Sequence, residues 1–270
     1  MAGIDIRMRR LFRNRQNLVI SAIDHVLEYG DQPGLENTGA AISACRGIDA
    51  LLLSRYSLLR HADQFGSLDA PAPIVRINWS SSFYYPLDYR EGHTKIAVTV
   101  EEAVEAGAEA VICSLFLEDR DQATDARNVE LFSEVVRQKE QLGIPLIGEC
   151  YVAEHADLTQ ERLHAKVKRV SRVMAELGAD MIKSFFTGDR FHEVVENTPV
   201  PVFTIGAEKL PTDMDVLNKA KASADQGARG IIFGRNIFMA ENPPAIIKAL
   251  DSVLNAGAAP ADAAHQHGLE

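Results

Sequence analysis

Eight short apolar runs, separated by longer segments with helical spacing, leave this 270-residue chain few ways to fold. The runs occupy residues 18–24, 49–53, 74–78, 110–115, 145–149, 180–184, 200–205 and 230–234. Their nearly unbroken hydrophobicity is typical of parallel strands that are covered on both faces. Apolar residues recur mostly at helical spacing over 126–142 and 158–177. The alternation predicts an α/β fold built from repeated strand–helix units.

Closure of these units into a barrel is favoured by their number and by the way the helices end. A Gly-Ala pair stands between a helical segment and the next apolar run at residues 107–108, 178–179 and 227–228. Glycine is favoured there because the residue after a helix often takes a positive φ. Eight such units favour a single-domain (β/α)8 TIM barrel, with an open doubly wound sheet as the alternative.

The expected organisation is a segment at 1–17, a barrel at 18–254 and a C-terminal tail at 255–270 that lacks fixed structure. Residues 78–94 are expected to form a long non-helical connection after the third strand. Long connections at the carboxyl end of a barrel strand usually serve function.

Composition and charge exclude several classes of function. With 28 Lys and Arg against 38 Asp and Glu, the formal net charge is −10, which argues against general binding to nucleic acid or anionic membranes. Since the chain has no run of about 18 apolar residues, no membrane span is expected. Cys45, Cys113 and Cys150 form no C-x-x-C pair, which fits a reducing, cytoplasmic location. No ligand spacing of His and carboxylates occurs, so no metal is expected.

Polar residues that end the apolar runs are the candidates for chemistry, because barrel enzymes place their active sites at the carboxyl ends of the strands. Lys183 is the most informative, since it shares a predicted strand face with Met181 and Phe185. A buried lysine is costly unless it has a partner or a chemical task. Its free amine can attack a ketone to form a Schiff base, which acts as an electron sink. The alternative is a structural lysine paired with a carboxylate inside the barrel.

Three other residues at strand ends have both a chemical and a structural interpretation. Asp24, after the first run, could move protons, orient a hydroxyl or pair with Lys183. Tyr151, after the fifth run, could act as a general acid or base, or stand at the barrel rim without a chemical role. His25 is expected to make structural hydrogen bonds rather than carry protons.

The ends of the seventh and eighth runs have the features of a phosphate site. Barrels often bind phosphate with the loops after these two strands. Gly206-Ala207 and Gly234 permit close approach to the backbone, and Arg235 adds a fork of charged donors. The alternative is that the glycines serve only tight turns.

Several motifs occur together in a fixed order along residues 18–254. They are Asp24-His25 with Leu27-Glu28-Tyr29-Gly30, residues 178–183 with Thr187-Gly188, residues 198–202, and residues 234–238. The set resembles the archaeal-type class I fructose-bisphosphate aldolase superfamily, with its deoxyribose-phosphate aldolase, autoinducer-2-phosphate thiolase and aminodideoxyheptulosonate synthase relatives. The resemblance implies a (β/α)8 barrel, a phosphorylated substrate, no cofactor beyond a covalent lysine imine, and a homo-oligomer such as a decamer or another ring-based assembly.

The resemblance also assigns roles to individual residues. The Schiff-base lysine falls on Lys183, the aspartate after strand one on Asp24, the proton-transferring tyrosine on Tyr151, and the phosphate-binding positions on Gly206, Gly234 and Arg235. The chain departs from the family pattern at Val26, at Glu149 and at Ala207, where glycine, tryptophan and glycine are usual. Glu149 and His25 are therefore candidates for substrate specificity, and the carboxylate of Glu149 disfavours fructose 1,6-bisphosphate itself.

Three functional hypotheses follow from these residues. The first is a class I aldolase that cleaves or forms a carbon–carbon bond in a phosphorylated ketose or related sugar phosphate. The second is a lysine-dependent thiolase, or an acyl or transaldol transferase, with an acceptor such as coenzyme A. The third is a barrel that binds a phosphorylated ligand without turnover.

Overall fold

A parallel barrel forms the body of the protein, which a computed structural model describes over residues 2–13, 15–118 and 121–269. The strands in these ranges are β1 (Leu18–Ala22), β2 (Ala50–Ser54), β3 (Ala72–Arg76), β4 (Asn78–Ser80), β5 (Thr94–Ile96), β6 (Ala110–Ser114), β7 (Leu146–Glu149), β8 (Met181–Ser184), β9 (Val202–Ile205) and β10 (Gly230–Phe233). Eight of them close into a barrel in the order β1, β2, β3, β6, β7, β8, β9, β10. Each predicted run overlaps one barrel strand, so the prediction of a TIM barrel is confirmed.

Helices surround the barrel and connect its strands. In the described ranges they are α1 (Ala2–Phe12), α2 (His25–Tyr29), α3 (Thr38–Ala44), α4 (Arg55–Arg60), α5 (Val100–Glu105), α6 (Gln122–Leu142), α7 (Gln160–Leu177), α8 (Phe191–Asn197), α9 (Asp213–Asp225), α10 (Arg235–Phe238), α11 (Pro243–Asn255) and α12 (Pro260–His267). Gly107, Gly178 and Gly227 all have positive φ, as the Gly-Ala pairs predicted. None of the described helices is both long and apolar enough to cross a membrane.

Two hydrophobic cores follow from the alternation of side chains along each strand. The outer core lies between the strands and the helices and includes Val111, Ile182 and Phe132. The inner core fills the barrel lumen and includes Ile112 and Phe203. Leu11 of α1 belongs to the inner core, and Met8 and Phe12 pack against it, so α1 covers the amino-terminal end of the lumen.

The connection over residues 78–94 is more ordered than the sequence suggested. β4 and β5 pair antiparallel outside the barrel, and residues 81–87 form 3-10 turns rather than a non-helical loop. Phe83, which is buried, packs its ring edge-on against Tyr151 with centroids 5.7 Å apart. The connection therefore helps to position a predicted site residue.

The prediction of a structureless tail at 255–270 is wrong for most of its length. Residues 260–267 form α12, which packs against α11 and α9 and buries Ala263 and Ala264. Pro260 begins the helix and Gly268 ends it with a φ of 68°, and both are favoured at those positions. Glu270 lies outside the described residues.

Candidate active site

The lumen changes from apolar to charged at the carboxyl ends of the strands. Its apolar layer includes Ala22, Ile74, Ile112, Ile147 and Met181. Two positions further along each segment are Asp24, Arg76, Ser114, Glu149 and Lys183. Because alternate strand residues share a face, the same periodicity that fills the lumen also brings these polar side chains together above it.

Asp24, Glu149 and Lys183 of this layer line a pocket at the carboxyl ends of the strands. The pocket is formed by Ala22, Asp24, His25, Glu28, Tyr29, Glu149, Tyr151, Lys183, Ile205, Gly206, Ala207, Ile232, Gly234 and Arg235. All nine residues that the sequence suggested for the site are among them. The structure therefore brings the predicted residues together, while their chemical roles stay predictions.

Lys183 lies in the lumen as predicted and is only 7% exposed. Its Nζ is 2.6 Å from Oε1 of Glu149, on the neighbouring strand β7, which pairs Glu149 with Lys183 in register. The carboxylate partner that the sequence left open is thus Glu149 rather than Asp24. Glu149, proposed from sequence as a specificity residue, contacts the atom that would react.

Arg76 lies at the centre of the charged layer and contacts several of its side chains. Only 1% of its surface is exposed. Its Nη2 is 2.8 Å from Oε2 of Glu149, and its Nη1 donates a hydrogen bond to Oγ of Ser114 at 2.7 Å. Its Nε contacts Oδ2 of Asp24 and lies 3.0 Å from Oε1 of Glu28. One guanidinium thus joins carboxyl groups that come from two sides of the lumen.

We call these groups the Arg76 cluster: the buried carboxyl groups of Asp24, Glu28 and Glu149, with the cations Arg76 and Lys183. With three carboxyl groups and two cations, one carboxyl group is left without a full counter-charge. Burial alone would raise the pKa of Asp24, yet Arg76 and Lys183 outweigh it and hold that pKa below its ordinary value. The same balance of burial against Arg76 and Lys183 keeps the pKa of Glu149 well below its usual range. Burial raises the pKa of Glu28 to about 8, so Glu28 holds a proton at neutral pH.

The raised pKa of Glu28 makes stability fall as the pH rises. Between about pH 4.5 and pH 8 the folded protein keeps a proton on Glu28 that the unfolded chain has lost. Glu28→Gln removes this titration, so the free energy of unfolding of E28Q is expected to rise relative to wild type across this interval. The slope of the difference is at most about 1.4 kcal/mol per pH unit. Urea unfolding of both proteins at a series of pH values measures it.

Glu134→Gln is the control for this titration. Glu134 is exposed and its pKa is lowered by hydrogen bonds from Arg137, so it is ionised in both states above about pH 5. The difference between E134Q and wild type should therefore not change with pH in that range. A pH-independent difference for E28Q as well would contradict the protonated state of Glu28.

Tyr151 lies over the charged layer among aromatic side chains. Its hydroxyl is 3.3 Å from that of Tyr29, and its ring packs against Phe83, Phe116 and Phe185. Burial raises the pKa of Tyr151 to about 12, so the phenol is neutral at physiological pH and available as a proton donor.

His25, the first residue of α2, packs tightly against Gly234, the residue before α10. Burial lowers the pKa of His25 to about 4, so its ring is neutral, and its Nδ1 lies 3.8 Å from Oδ1 of Asp24. The structure describes no hydrogen-bond partner for Nδ1, in contrast to the expected structural hydrogen bond. A Cβ on Gly234 would lie 2.4 Å from Cε1 of His25, so glycine is needed here for close packing.

The loops proposed to hold phosphate meet at the pocket rim. Ala207 has a φ of 56°, a conformation that glycine favours, at the place where the family pattern has its second glycine. Nη2 of Arg235 donates to the Ala207 carbonyl at 2.8 Å, and Nη1 contacts Glu208. Nε of Arg235 is buried and has no hydrogen-bond partner among the described residues. Arg235 thus reaches the pocket while its outer nitrogens are already engaged.

Sequence reasoning missed Arg76, Ser114, Glu28 and Tyr29 as site residues. Arg76 carried the same signal as Lys183, a charged residue inside an apolar run, but it stood in the middle of the predicted strand 74–78. In the structure β3 spans Ala72–Arg76, so Arg76 is its final residue. The two-residue shift of the strand explains the omission.

Metal ligands were not expected from the sequence, and the three cysteines form no C-x-x-C pair. In the ranges that the structure describes, no group of three or more His, Cys, Asp or Glu side chains is placed to hold a metal ion. Cys45, Cys113 and Cys150 are buried and take part in no disulfide among the described residues. Burial raises the pKa of the Cys45 thiol to about 11 and that of Cys113 to about 12, which keeps both protonated and unreactive.

The barrel that holds this lysine matches a family of aldolases, so the protein is an aldolase-type enzyme. The family model of the DeoC/LacD family aldolases matches residues 18–240. The chain belongs to this family.

Relatives and solved structures agree with this assignment. An uncharacterized aldolase of Saccharolobus solfataricus is 30% identical over 267 residues, which cover 96% of each chain. A 3-hydroxy-5-phosphonooxypentane-2,4-dione thiolase of Yersinia pseudotuberculosis is 28% identical, over 94% of this chain and 82% of the thiolase. The crystal structure of an archaeal fructose 1,6-bisphosphate aldolase superposes with a TM-score of 0.79 at 24% identity, over 94% of this chain and 100% of the aldolase. This last likeness shows the shared fold.

Proposed function

We propose that the protein is a class I aldolase in which Lys183 forms a Schiff base with the ketone of a phosphorylated ketose. The observation that carries the proposal is the position of Nζ of Lys183, which faces the pocket from β8. Asp24 and Tyr151 line the same pocket.

The lysine supplies the central chemistry. Condensation of Lys183 with the ketone releases water and leaves a protonated imine, which accepts the electron pair of the carbon–carbon bond as that bond breaks. A proton from solvent water then adds to the enamine carbon, and hydrolysis of the imine frees the lysine. In the forming direction the enamine attacks an aldehyde.

Tyr151 and Asp24 are proposed to manage the hydroxyl and its proton. In the bond-forming direction the neutral phenol of Tyr151 donates its proton to the aldehyde oxygen, and cleavage runs the same transfer in reverse. The raised pKa of Tyr151 supports a role as the acid. Asp24, ionised beside Arg76, accepts a hydrogen bond from a substrate hydroxyl.

The proposed substrate carries phosphate and differs from fructose 1,6-bisphosphate. Arg235 and the loops at Gly206, Ala207 and Gly234 stand at the pocket rim, where they could contact a phosphate. Glu149 provides a carboxylate beside the lysine where the resembling family has tryptophan. The groups around the reacting carbon therefore differ from those expected for fructose 1,6-bisphosphate.

Reductive trapping tests the proposal. Wild-type protein is incubated with sodium borohydride and a panel of phosphorylated ketoses, including dihydroxyacetone phosphate, and the modified peptide is identified by mass spectrometry. We expect a covalent adduct on Lys183 with at least one member of the panel. The proposal fails if none of them modifies Lys183, or if the same adduct forms in K183M.

The likeness to the Yersinia thiolase favours a second candidate, transfer of an acyl or aldol fragment to an acceptor such as coenzyme A. This function keeps the lysine and changes the group that receives the fragment. Turnover measured with and without coenzyme A separates the two. Turnover that requires the thiol supports the transferase, and aldehyde release without it supports the aldolase.

A further inference from the structure

Resting on the proposed binding of a phosphorylated ketose, we propose that Lys219 is a positioning residue for the phosphate group. Lys219 lies on α9, whereas Gly206 and Ala207 line the pocket. From α9 its side chain fixes the peptide between Gly206 and Ala207, so that the N–H of this peptide donates to the phosphate. The residue thus acts through the backbone of the loop after β9.

The carbonyl oxygen of Gly206 accepts two hydrogen bonds from helices outside the barrel. Nζ of Lys219 donates at 2.8 Å, and Nδ2 of Asn236 on α10 donates at 3.2 Å. A carbonyl oxygen has two lone pairs and can accept both. Asn236 is fully buried and also bonds the carbonyl of Glu208 and the N–H of Leu210. These contacts fix the direction of the Gly206 carbonyl and the path of the loop.

The direction of this carbonyl determines where the next N–H points. In a trans peptide the C=O and N–H bonds point to opposite sides, and the peptide bonds of the described residues are all trans. Because α9 packs on the outer side of β10, the Gly206 carbonyl faces the helices, and the N–H of Ala207 faces the pocket. That N–H has no hydrogen-bond partner among the described residues. It is therefore available to an anion in the pocket.

The charge of Lys219 strengthens the same donor. Burial lowers the pKa of Lys219 to about 8, and Glu208 opposes the change, so the ammonium is mostly protonated at pH 7. Hydrogen bonds in a chain polarise one another, so a cation on the carbonyl makes the N–H at the other end of the peptide a better donor. In a protein with a formal net charge of −10, a phosphate depends on such local cations.

Titration calorimetry with inorganic phosphate at pH 7 tests the inference. Methionine keeps the length of Lys219 but removes the donor, so K219M is expected to bind phosphate about tenfold more weakly than wild type. Arginine can donate to the same carbonyl, so K219R should bind within about threefold of wild type. The matched control is K221M, because Lys221 lies on the same helix and pairs with Asp225 at the surface. K221M should bind phosphate as wild type does.

Borohydride trapping over a series of ketose concentrations separates positioning from general support of the fold. With the panel member that traps best, K219M should need about tenfold more ketose for half-saturation, while its trapping rate at saturation stays within about threefold of wild type. A residue that merely supports the fold would lower the rate at saturation as well.

Three results would overturn the inference. They are wild-type affinity for phosphate in K219M, binding by K219R as weak as that by K219M, and a rate at saturation that falls in K219M as much as the affinity does. If K219M fails to fold, K219L replaces it under the same criteria. Wild type that traps no ketose overturns the proposed function instead, and the phosphate titration then decides the inference by itself.

Discussion

Replacing Lys183 with methionine is expected to lower kcat/KM for carbon–carbon bond cleavage by about 10⁴-fold or more. Methionine is similar in length but has no amine, so the imine and its electron sink are lost. The barrel should stay folded, because Glu149 keeps its contacts with Arg76 and Ser114. Turnover assays and thermal unfolding of the same preparations measure the two effects separately.

Lys183→Arg is the matched variant for this experiment. It keeps a positive charge near Glu149 but does not form the imine, so it is expected to be as inactive as K183M. Activity of K183R well above that of K183M would show that the charge of Lys183 matters more than its nucleophilicity. Retention of more than about 1% of wild-type kcat/KM by K183M would contradict the role of Lys183 as the imine-forming residue.

Arg76→Met is expected to be the most destabilising change in the site, at about 3–5 kcal/mol. It leaves the buried carboxylates of Asp24 and Glu149 with Lys183 as the cation of the cluster. The free energy of unfolding from urea titrations near neutral pH measures the loss. The difference in the free energy of unfolding should narrow as the pH falls below about 4. Without Arg76 the buried carboxylates of R76M take up protons at a higher pH than those of wild type, whose pKa values Arg76 holds low.

Arg137→Met provides the comparison on the surface. Arg137 pairs with Glu134 at 2.7 Å, but both side chains are more than half exposed. Such exposed pairs contribute little to stability because water screens them, so the free energy of unfolding of R137M should be close to that of wild type. If R76M and R137M lost the same free energy of unfolding, the buried ion pairs of Arg76 would matter no more for stability than the exposed pair of Arg137.

The barrel and the position of the lysine were predictable because both follow from local periodicity. Nearly continuous apolar runs predict buried parallel strands, and a lysine that alternates with Met181 must face the same side as Met181. The partners of these residues were not predictable in the same way. Whether Lys183 meets Asp24 or Glu149 depends on strand register and barrel closure, which bring together residues far apart in the sequence.

The errors at the C-terminus and in the third connection also have physical causes. Short helices such as α12 have weak periodicity, and packing against α11 and α9 supplies most of their stability. The 78–94 connection is rich in aromatic and serine residues, which do not indicate whether β4 and β5 will pair. In both segments tertiary contacts, rather than local preference, determine the structure.

The Arg76 cluster contributes to the stability of the barrel as well as to the pocket. Arg76 on β3 forms ion pairs with Glu149 on β7 and with Asp24, which follows β1. One side chain thus connects strands that are not all neighbours in the barrel. Replacing Asp24 or Glu149 to accept a new substrate would also remove one of these ion pairs with Arg76. Variants with new specificity would therefore need compensating stabilisation elsewhere, and the outer core and the packing of α12 are the places to provide it.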